Sequence, residues 1–203
     1  MVQHIYFVRH GDTQMNDQHL IRGWLDVPLS AKGIKASKAV AKRLSPKHVQ
    51  GIVTTDLSRG VDTAEFIRDA TGAPILATTK KLRTWDLGIY TGTPSDTADK
   101  EIKQLISKSP DKTIPEGESF NAYRDRFLDT VLSLLTKYKD LNIVIVNHHS
   151  GAAVMQTWID SGAPEDYKMD PTKMASAMTR DVVKPGDYLE YNGIWSRSQQ
   201  KMV

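Results

Sequence analysis

Asn142-Ile143-Val144-Ile145-Val146-Asn147-His148-His149-Ser150 decides the fold. Ile143 to Val146 are four successive β-branched residues, which gives the strongest strand signal in the chain. The run has no polar alternation, as expected of a strand covered on both faces. A helix is expected to follow over about 150–159, with Ser150 as its cap. A buried strand passing directly into a helix is the repeating unit of α/β proteins, and the rest of the chain reads outward from it.

Residues 3–8 are apolar and β-rich, and a glycine-containing loop follows them. Ser30 can cap a helix running to about residue 44, with Ile34, Val40, Ala41 and Leu44 on its inner face and Lys35, Lys38 and Lys42 outside. Residues 51–54 form a short buried strand. Asp56 or Ser58 then caps a helix to about residue 70, with Val61, Ala64 and Ile67 inward. Another strand is expected over 74–78. Residues 84–118 read as irregular, with one short helix near 97–108 and Pro94, Pro110 and Pro115 as punctuation; this stretch is the expected lid or insertion. Ser119 opens a long helix carrying Phe120, Phe127, Val131, Leu134 and Tyr138, and two strands are expected in the tail, near 174–182 and 187–191. The order predicts a single α/β domain over 1–203, with a mostly parallel central sheet, helices on both faces and an irregular, helical insertion at about 84–118.

Composition bounds the function. The chain has 203 residues, roughly 1.4 times a typical domain of about 150. Apolar residues make up 39%, and the 13 glycines bring this to about 45%, within the globular range and outside that of disordered chains. There is no cysteine, which excludes disulfides, thiolate metal sites and cysteine nucleophiles. No apolar run reaches the length of a membrane span, and the start lacks the pattern of a signal peptide, so a cytoplasmic protein is expected. The net charge of +3 comes from Lys and Arg spread along the chain, which is weak evidence for nucleic acid and fits a small anionic substrate at least as well.

In open parallel sheets, ligands bind beyond the carboxyl ends of the strands. Three such ends carry Arg9-His10-Gly11, then Arg59 in the first turn of the next helix, then His148-His149. Two guanidiniums match phosphoryl oxygens with paired hydrogen bonds, a helix beginning near Ser150 would add free N–H groups, and a histidine there can act as a nucleophile. Arg59 beside a helix N-terminus is unfavourable unless an anion sits nearby. Adjacent residues on a strand face opposite ways, so His148-His149 is not read as a metal site.

Phe7-Val8-Arg9-His10-Gly11-Asp12-Thr13 resembles the RHG signature of the histidine phosphatase superfamily, the phosphoglycerate-mutase-like proteins. The similarity continues in order over about residues 5–150. It takes in Asn16, Gly23-Trp24-Leu25-Asp26-Val27-Pro28-Leu29-Ser30 with Gly33, Thr54-Thr55-Asp56-Leu57-Ser58-Arg59 with Thr63-Ala64, Pro115-Glu116-Gly117-Glu118-Ser119, and Val144-Ile145-Val146-Asn147-His148. The resemblance implies a three-layer sandwich and a small phosphorylated substrate. It implies His10 as a nucleophile that becomes phosphorylated, Arg9, Arg59 and His148 as ligands of the phosphoryl oxygens, and Asn16 as the source of a further hydrogen bond. Gly23 and His149 are candidate substrate-binding positions, His149 at the rim. No cofactor and no metal are expected, because the arginines supply the charge neutralisation that phosphoryl transfer requires.

The sequence departs from this pattern at one place. Leu82-Arg83-Thr84 puts threonine where the family often has a glutamate that protonates the leaving oxygen, and Thr91 replaces another acidic residue. General acid catalysis is worth roughly 10²–10⁴-fold, so Asp86 is taken as the first candidate substitute and Glu118 as the second. Trp24, Trp85 and Tyr90 are candidates for a pocket mouth, and Arg22, Arg83 and Lys173 for a second anionic group of the substrate; His4, His19 and His48 read as surface or packing residues. The expected function is metal-independent hydrolysis of a phosphomonoester through a phosphohistidine on His10. A phosphoglycerate mutase and a non-catalytic phospholigand-binding relative are the alternatives.

Overall fold

The computed structural model describes residues 3–193, together with the backbone of 195–196 and 201–202. Five strands form one sheet in the order β3-β2-β4-β1-β5. They are β1 (Gln3–Arg9), β2 (Gly51–Thr55), β3 (Ile75–Thr79), β4 (Ile143–Asn147) and β5 (Asp187–Gly193). All neighbours are parallel except the edge strand β5, which runs antiparallel to β1. The helices are α1 (Gln14–Asp17), α2 (Ala31–Leu44), α3 (Ser58–Thr71), α4 (Ser95–Lys108), α5 (Phe120–Lys137), α6 (His149–Asp160) and α7 (Pro171–Thr179).

β4 lies at the centre because its side chains satisfy both faces. Val144 and Val146 join Tyr6, Val8, Val40, Leu44 and Ile67 under α2 and α3. Ile143 and Ile145 face the opposite way, into a larger core with Phe7, Phe127, Val131, Val154 and Trp158. The period of two along a strand thus builds a three-layer α/β/α sandwich from one apolar run.

Several local expectations change. The strand near 174–182 is instead α7. Asp170 caps it by accepting from the backbone N–H groups of Thr172 and Lys173, Pro171 occupies the first turn, and Met174, Ala175 and Ala177 are buried. The Asp-Pro start sets the helix, and Met174, Ala175 and Ala177 follow it at helical spacing. Leu57, not Asp56 or Ser58, is the N-cap residue of α3; Ser58 N–H donates to Asp26 Oδ1 at 2.7 Å, while Asp56 is held by Arg83. His148 is the N-cap residue of α6, so Ser150 is not a cap. Ile34 is 38% exposed rather than inward. Ser30 and Ser119 cap α2 and α5 through their side chains, as expected.

The loop after β1 reaches its position through close backbone contact. A Cβ on Gly33 would stand 1.9 Å from the Asp12 carbonyl oxygen, and one on Gly11 would stand 2.3 Å from that of Gly33. The first turn of α2 therefore lies directly against residues 11–12. His10 N–H extends the β1–β4 pairing by donating to Asn147 O at 3.1 Å.

Candidate active site

The carboxyl ends of β1, β2 and β4 border a cavity of about 740 Å³. Arg9, Arg59 and His148 line it. Arg9 leaves the end of β1 and donates from Nη1 to Asp181 Oδ1 and to Val183 O, both at 2.7 Å. Arg59 comes from the first turn of α3 and is only 1% exposed. Its guanidinium donates to Leu25 O at 2.7 Å and Gly23 O at 3.1 Å, with no carboxylate among these partners. Gly23 adopts φ +49°, and a Cβ there would meet Thr91 Oγ1 at 2.5 Å, so glycine lets its carbonyl turn toward Arg59. The Nε–H groups of Arg9 and Arg59 are buried without acceptors. Buried N–H donors of this kind are uncommon and invite an acceptor.

His10 lies behind this floor, 2% exposed, with its ring edge-on to His148 at a centroid separation of 5.0 Å. Its Nδ1 is 2.7 Å from Gly11 O. A carbonyl can only accept, so Nδ1 carries the proton and Nε2 keeps its lone pair. Burial, and then the charges of Arg59 and Arg22, hold the His10 pKa well below the usual imidazole value. His148 is lowered for the same reasons, burial first and then Arg59. Both rings are therefore neutral at pH 7, as a nitrogen nucleophile requires. His148 Nε2 lies 3.2 Å from Thr55 Oγ1, which ties the ring to the end of β2. No side chain caps α6, and its first residues His149 and Ser150 line the cavity. The positive end of the helix thus adds to the arginines.

The remaining wall has a different make-up. Thr84, Trp85, Leu87, Ser95, Asp99 and Ile102 come from the segment before α4 and from α4 itself, and Met178 to Asp181 come from the end of α7 and the residues after it. Thr84 Oγ1 lies 2.7 Å from Ser150 Oγ, which accepts from Tyr123 Oη at 2.9 Å. His149 Nε2–H donates to Arg180 O at 2.7 Å. Among the described residues, no three His, Asp or Glu side chains converge as metal ligands. The cationic character of the cavity comes from its arginines.

The residues singled out in the sequence separate into two groups. Arg9, Arg59, His148, His149, Asn16 and Gly23 line the cavity, with His10 against His148. Asn16 Oδ1 accepts from Thr13 N–H at 2.8 Å, which leaves its NH₂ as the free end of the amide. Asp86 is not on the cavity wall: its Oδ1 accepts from Gly88 N–H, and its own N–H donates to Glu118 Oε1 at 3.0 Å. Glu118 is not on the wall either, because Arg126 pairs with it at 2.5 Å. Arg83 forms a two-pronged pair with Asp56, and Lys173 is absent from the wall. Trp85 lines the cavity while Trp24 lies under the guanidiniums of Arg83 and Arg126, and Tyr90 stays outside. Arg22 does line the cavity, and His19 is exposed, in keeping with a surface residue, and borders the same cavity. Asp12, Lys32, Asp99, Arg180 and Asp181 were not anticipated. Asp12 lies inside the stretch that carries the RHG signature, whereas no periodic or motif signal marks Lys32, Asp99, Arg180 or Asp181, and 180–181 fall where a strand is expected.

Comparison with known proteins agrees with this architecture. The family described as Histidine phosphatase superfamily (branch 1) matches residues 5–178. A protein of Klebsiella pneumoniae named "Probable phosphoglycerate mutase GpmB" is 33% identical over 148 residues, covering 71% of this chain and 68% of that one. Among solved structures, a mycobacterial glucosyl-3-phosphoglycerate phosphatase superposes with a TM-score of 0.73 at 21% identity, over 96% of this chain and 92% of the other. A putative alpha-ribazole-5'-P phosphatase of Escherichia coli gives 0.70 at 20% identity, over 93% and 89%. These likenesses place the sandwich among phosphoglycerate-mutase-like folds, and the match over residues 5–178 shows that the chain belongs to the histidine phosphatase superfamily.

Proposed function

We propose that the protein is a phosphoric monoester hydrolase that acts through a phosphohistidine on His10 without a metal. The observation that carries this reading is the His10 tautomer. Nδ1–H is spent on Gly11 O, so Nε2 is the free nucleophilic nitrogen, next to His148 and near two guanidiniums with unpaired N–H groups. His10 Nε2 attacks phosphorus and the leaving oxygen departs. Arg9, Arg59, His148 and the N-terminus of α6 hold the phosphoryl oxygens and offset the charge that builds in the transition state. Water then attacks the phosphohistidine, the P–N bond breaks, and its electron pair returns to Nε2. Asn16 offers its amide N–H groups to the same oxygens, and His149 borders the site at the rim.

The test uses p-nitrophenyl phosphate with EDTA present. Release of p-nitrophenol that persists in EDTA and vanishes in His10→Ala, with acid-labile, base-stable label on His10 from a ³²P donor, supports the reading. A second reading rests on the name carried by the relatives: transfer of phosphate between positions of phosphoglycerate. Interconversion of 2- and 3-phosphoglycerate faster than release of inorganic phosphate would favour it. Phosphate binding with no turnover of any donor would overturn both.

A further inference from the structure

Tyr123, Ser150 and Thr84 form a chain of three hydroxyls from the core to the cavity wall. Tyr123 donates to Ser150 Oγ, and Ser150 Oγ meets Thr84 Oγ1. Burial raises the Tyr123 pKa far above its usual value, so the phenol keeps its proton. Three hydroxyl hydrogens serve two internal bonds. The Tyr123 hydrogen is spent on Ser150, and one of the other two closes the Ser150–Thr84 contact. One hydrogen therefore remains, on Ser150 or on Thr84. Both residues line the cavity. This wall can give a ligand oxygen a hydrogen bond, but an aliphatic hydroxyl has no proton to release at neutral pH.

Arg22 borders the same cavity. Among the described residues it has no hydrogen-bond or ion-pair partner, although it is only partly exposed. Its charge acts on His10, His148 and Arg59, which locates it within the same cluster. Its one opposing charge is that of Asp12, which is itself paired with Lys32; a partly buried guanidinium that only shares a carboxylate is well matched by negative charge on a ligand. Two of the cavity carboxylates are already committed as ions: Asp181 to Arg9 at 2.7 Å and Asp12 to Lys32 at 2.9 Å. Asp86 and Glu118 lie off the wall.

We propose that the preferred substrates are phosphoryl donors whose leaving group departs as an anion, namely acyl phosphates, phosphoanhydrides and aryl phosphates, and that Arg22 with the remaining Thr84/Ser150 hydroxyl hydrogen stabilises that anion in place of a proton donor. The proposal rests on the phosphohistidine reading above. As the bond from His10 Nε2 to phosphorus forms, the P–O bond breaks and its electron pair stays on the leaving carboxylate, phosphate or phenolate. No proton leaves the protein in this step. Water attack then yields dihydrogen phosphate, which carries both protons of the water, and restores the neutral ring.

The test is a leaving-group series on the full chain: acetyl phosphate, p-nitrophenyl phosphate, phenyl phosphate and glycerol 3-phosphate. The expected kcat/KM falls steeply with leaving-group pKa, by at least about 100-fold from p-nitrophenyl phosphate to glycerol 3-phosphate, the low end of what a general acid supplies. Arg22→Gln should lower kcat on acetyl phosphate and phenyl phosphate by about tenfold or more, an interaction strengthened only in the transition state. Thr84→Glu should narrow the gap between the aryl and alkyl donors. If wild type turns over glycerol 3-phosphate within about threefold of p-nitrophenyl phosphate, or if Asp17→Asn or Asp99→Asn selectively abolishes alkyl turnover, a cavity carboxylate is the acid and the proposal falls, while His10 chemistry stands. If His10→Ala retains turnover across the series, the phosphohistidine reading fails first.

Discussion

The two walls of the cavity are built by different rules. The side that we propose faces the phosphoryl group takes one group from each of three strand ends: Arg9 at the end of β1, Arg59 after β2 and His148 after β4, with His10 behind them. Each is fixed by hydrogen bonds to backbone carbonyls or by burial in the sheet's edge. The side that we propose meets the leaving group takes Thr84 from a segment without regular structure, Ser150 from α6, Arg22 from the loop after α1, and Arg180 and Asp181 from beyond α7. Secondary structure dictates the first wall, while tertiary packing of distant loops dictates the second. The phosphoryl group is the constant part of a reaction, and the leaving group is where substrates differ.

Removing a member of the first wall should therefore cost more than removing one of the second. Arg59→Ala deletes a guanidinium that is nearly wholly buried and uncaps Gly23 O and Leu25 O. A loss of about 10²–10³-fold in kcat is expected for every donor alike, the scale of removing a preorganised transition-state donor. Steady-state rates across the leaving-group series check it. A loss confined to alkyl donors would blur the distinction between the walls.

Gly33→Ala probes how the first wall is held. Alanine favours a helix over glycine by about 1 kcal/mol, but the new Cβ would stand 1.9 Å from the Asp12 carbonyl oxygen. Overpacking costs about 1–3 kcal/mol, and backbone cannot swing aside as a side chain can, so the clash wins. A lower urea midpoint with reduced kcat/KM on all donors is expected. An unchanged midpoint would mean that the loop of residues 11–12 tolerates displacement.

The pH dependence follows from the two buried rings. His10 and His148 both have folded pKa values well below the ordinary 6.5, mainly through burial. The unfolded chain binds these protons first as the pH falls, so their neutral forms contribute full stability above about 6.5 and lose it progressively at lower pH. Denaturant midpoints should decline from pH 7 to pH 5. A variant with His148→Gln should show a shallower decline, and an identical slope would indicate that other groups govern it.

How far the sequence could be read follows the same division. The strands, their order of alternation and the residues at their ends depend on patterns of two to seven neighbouring residues, and β4 with its dual-faced isoleucines and valines is the clearest case. α7 stands where a strand is expected: Met174, Ala175, Ala177 and Met178 fall at helical spacing, and the start of the helix depends on Asp170 and Pro171, outside the 174–182 window. Arg83 looked available for substrate until packing brought it to Asp56, a residue 27 positions away. The Thr84–Ser150–Tyr123 chain joins three segments, and nothing in the order of residues marks a contact of that kind.

Tyr123→Phe tests that chain at modest magnitude. It removes the hydroxyl that donates to Ser150 and keeps the ring that stacks on Trp85. A stability loss of about 1 kcal/mol is expected, the usual worth of one hydrogen bond. Ser150 is then freer to rotate, so the effect on kcat should be larger for phenyl phosphate than for acetyl phosphate. Equal effects on both would detach the chain from the leaving side.

The smallest effect is expected at Asp86, and it bears on the comparison most directly. Asp86 was the first sequence candidate for a proton donor, yet its Oδ1 is used locally, accepting from Gly88 N–H at 3.2 Å. Asparagine presents the same oxygen to the same N–H, so Asp86→Asn should leave the turn intact and change kcat/KM by no more than about twofold, uniformly across the leaving-group series, since a true general acid would be worth 10²–10⁴-fold on poor leaving groups. A deficit that grows with leaving-group pKa would bring the carboxyl into the reaction. The segment from Trp85 to Gly88 would then have to rotate toward the cavity when substrate binds, and the leaving side would be a wall completed by its ligand.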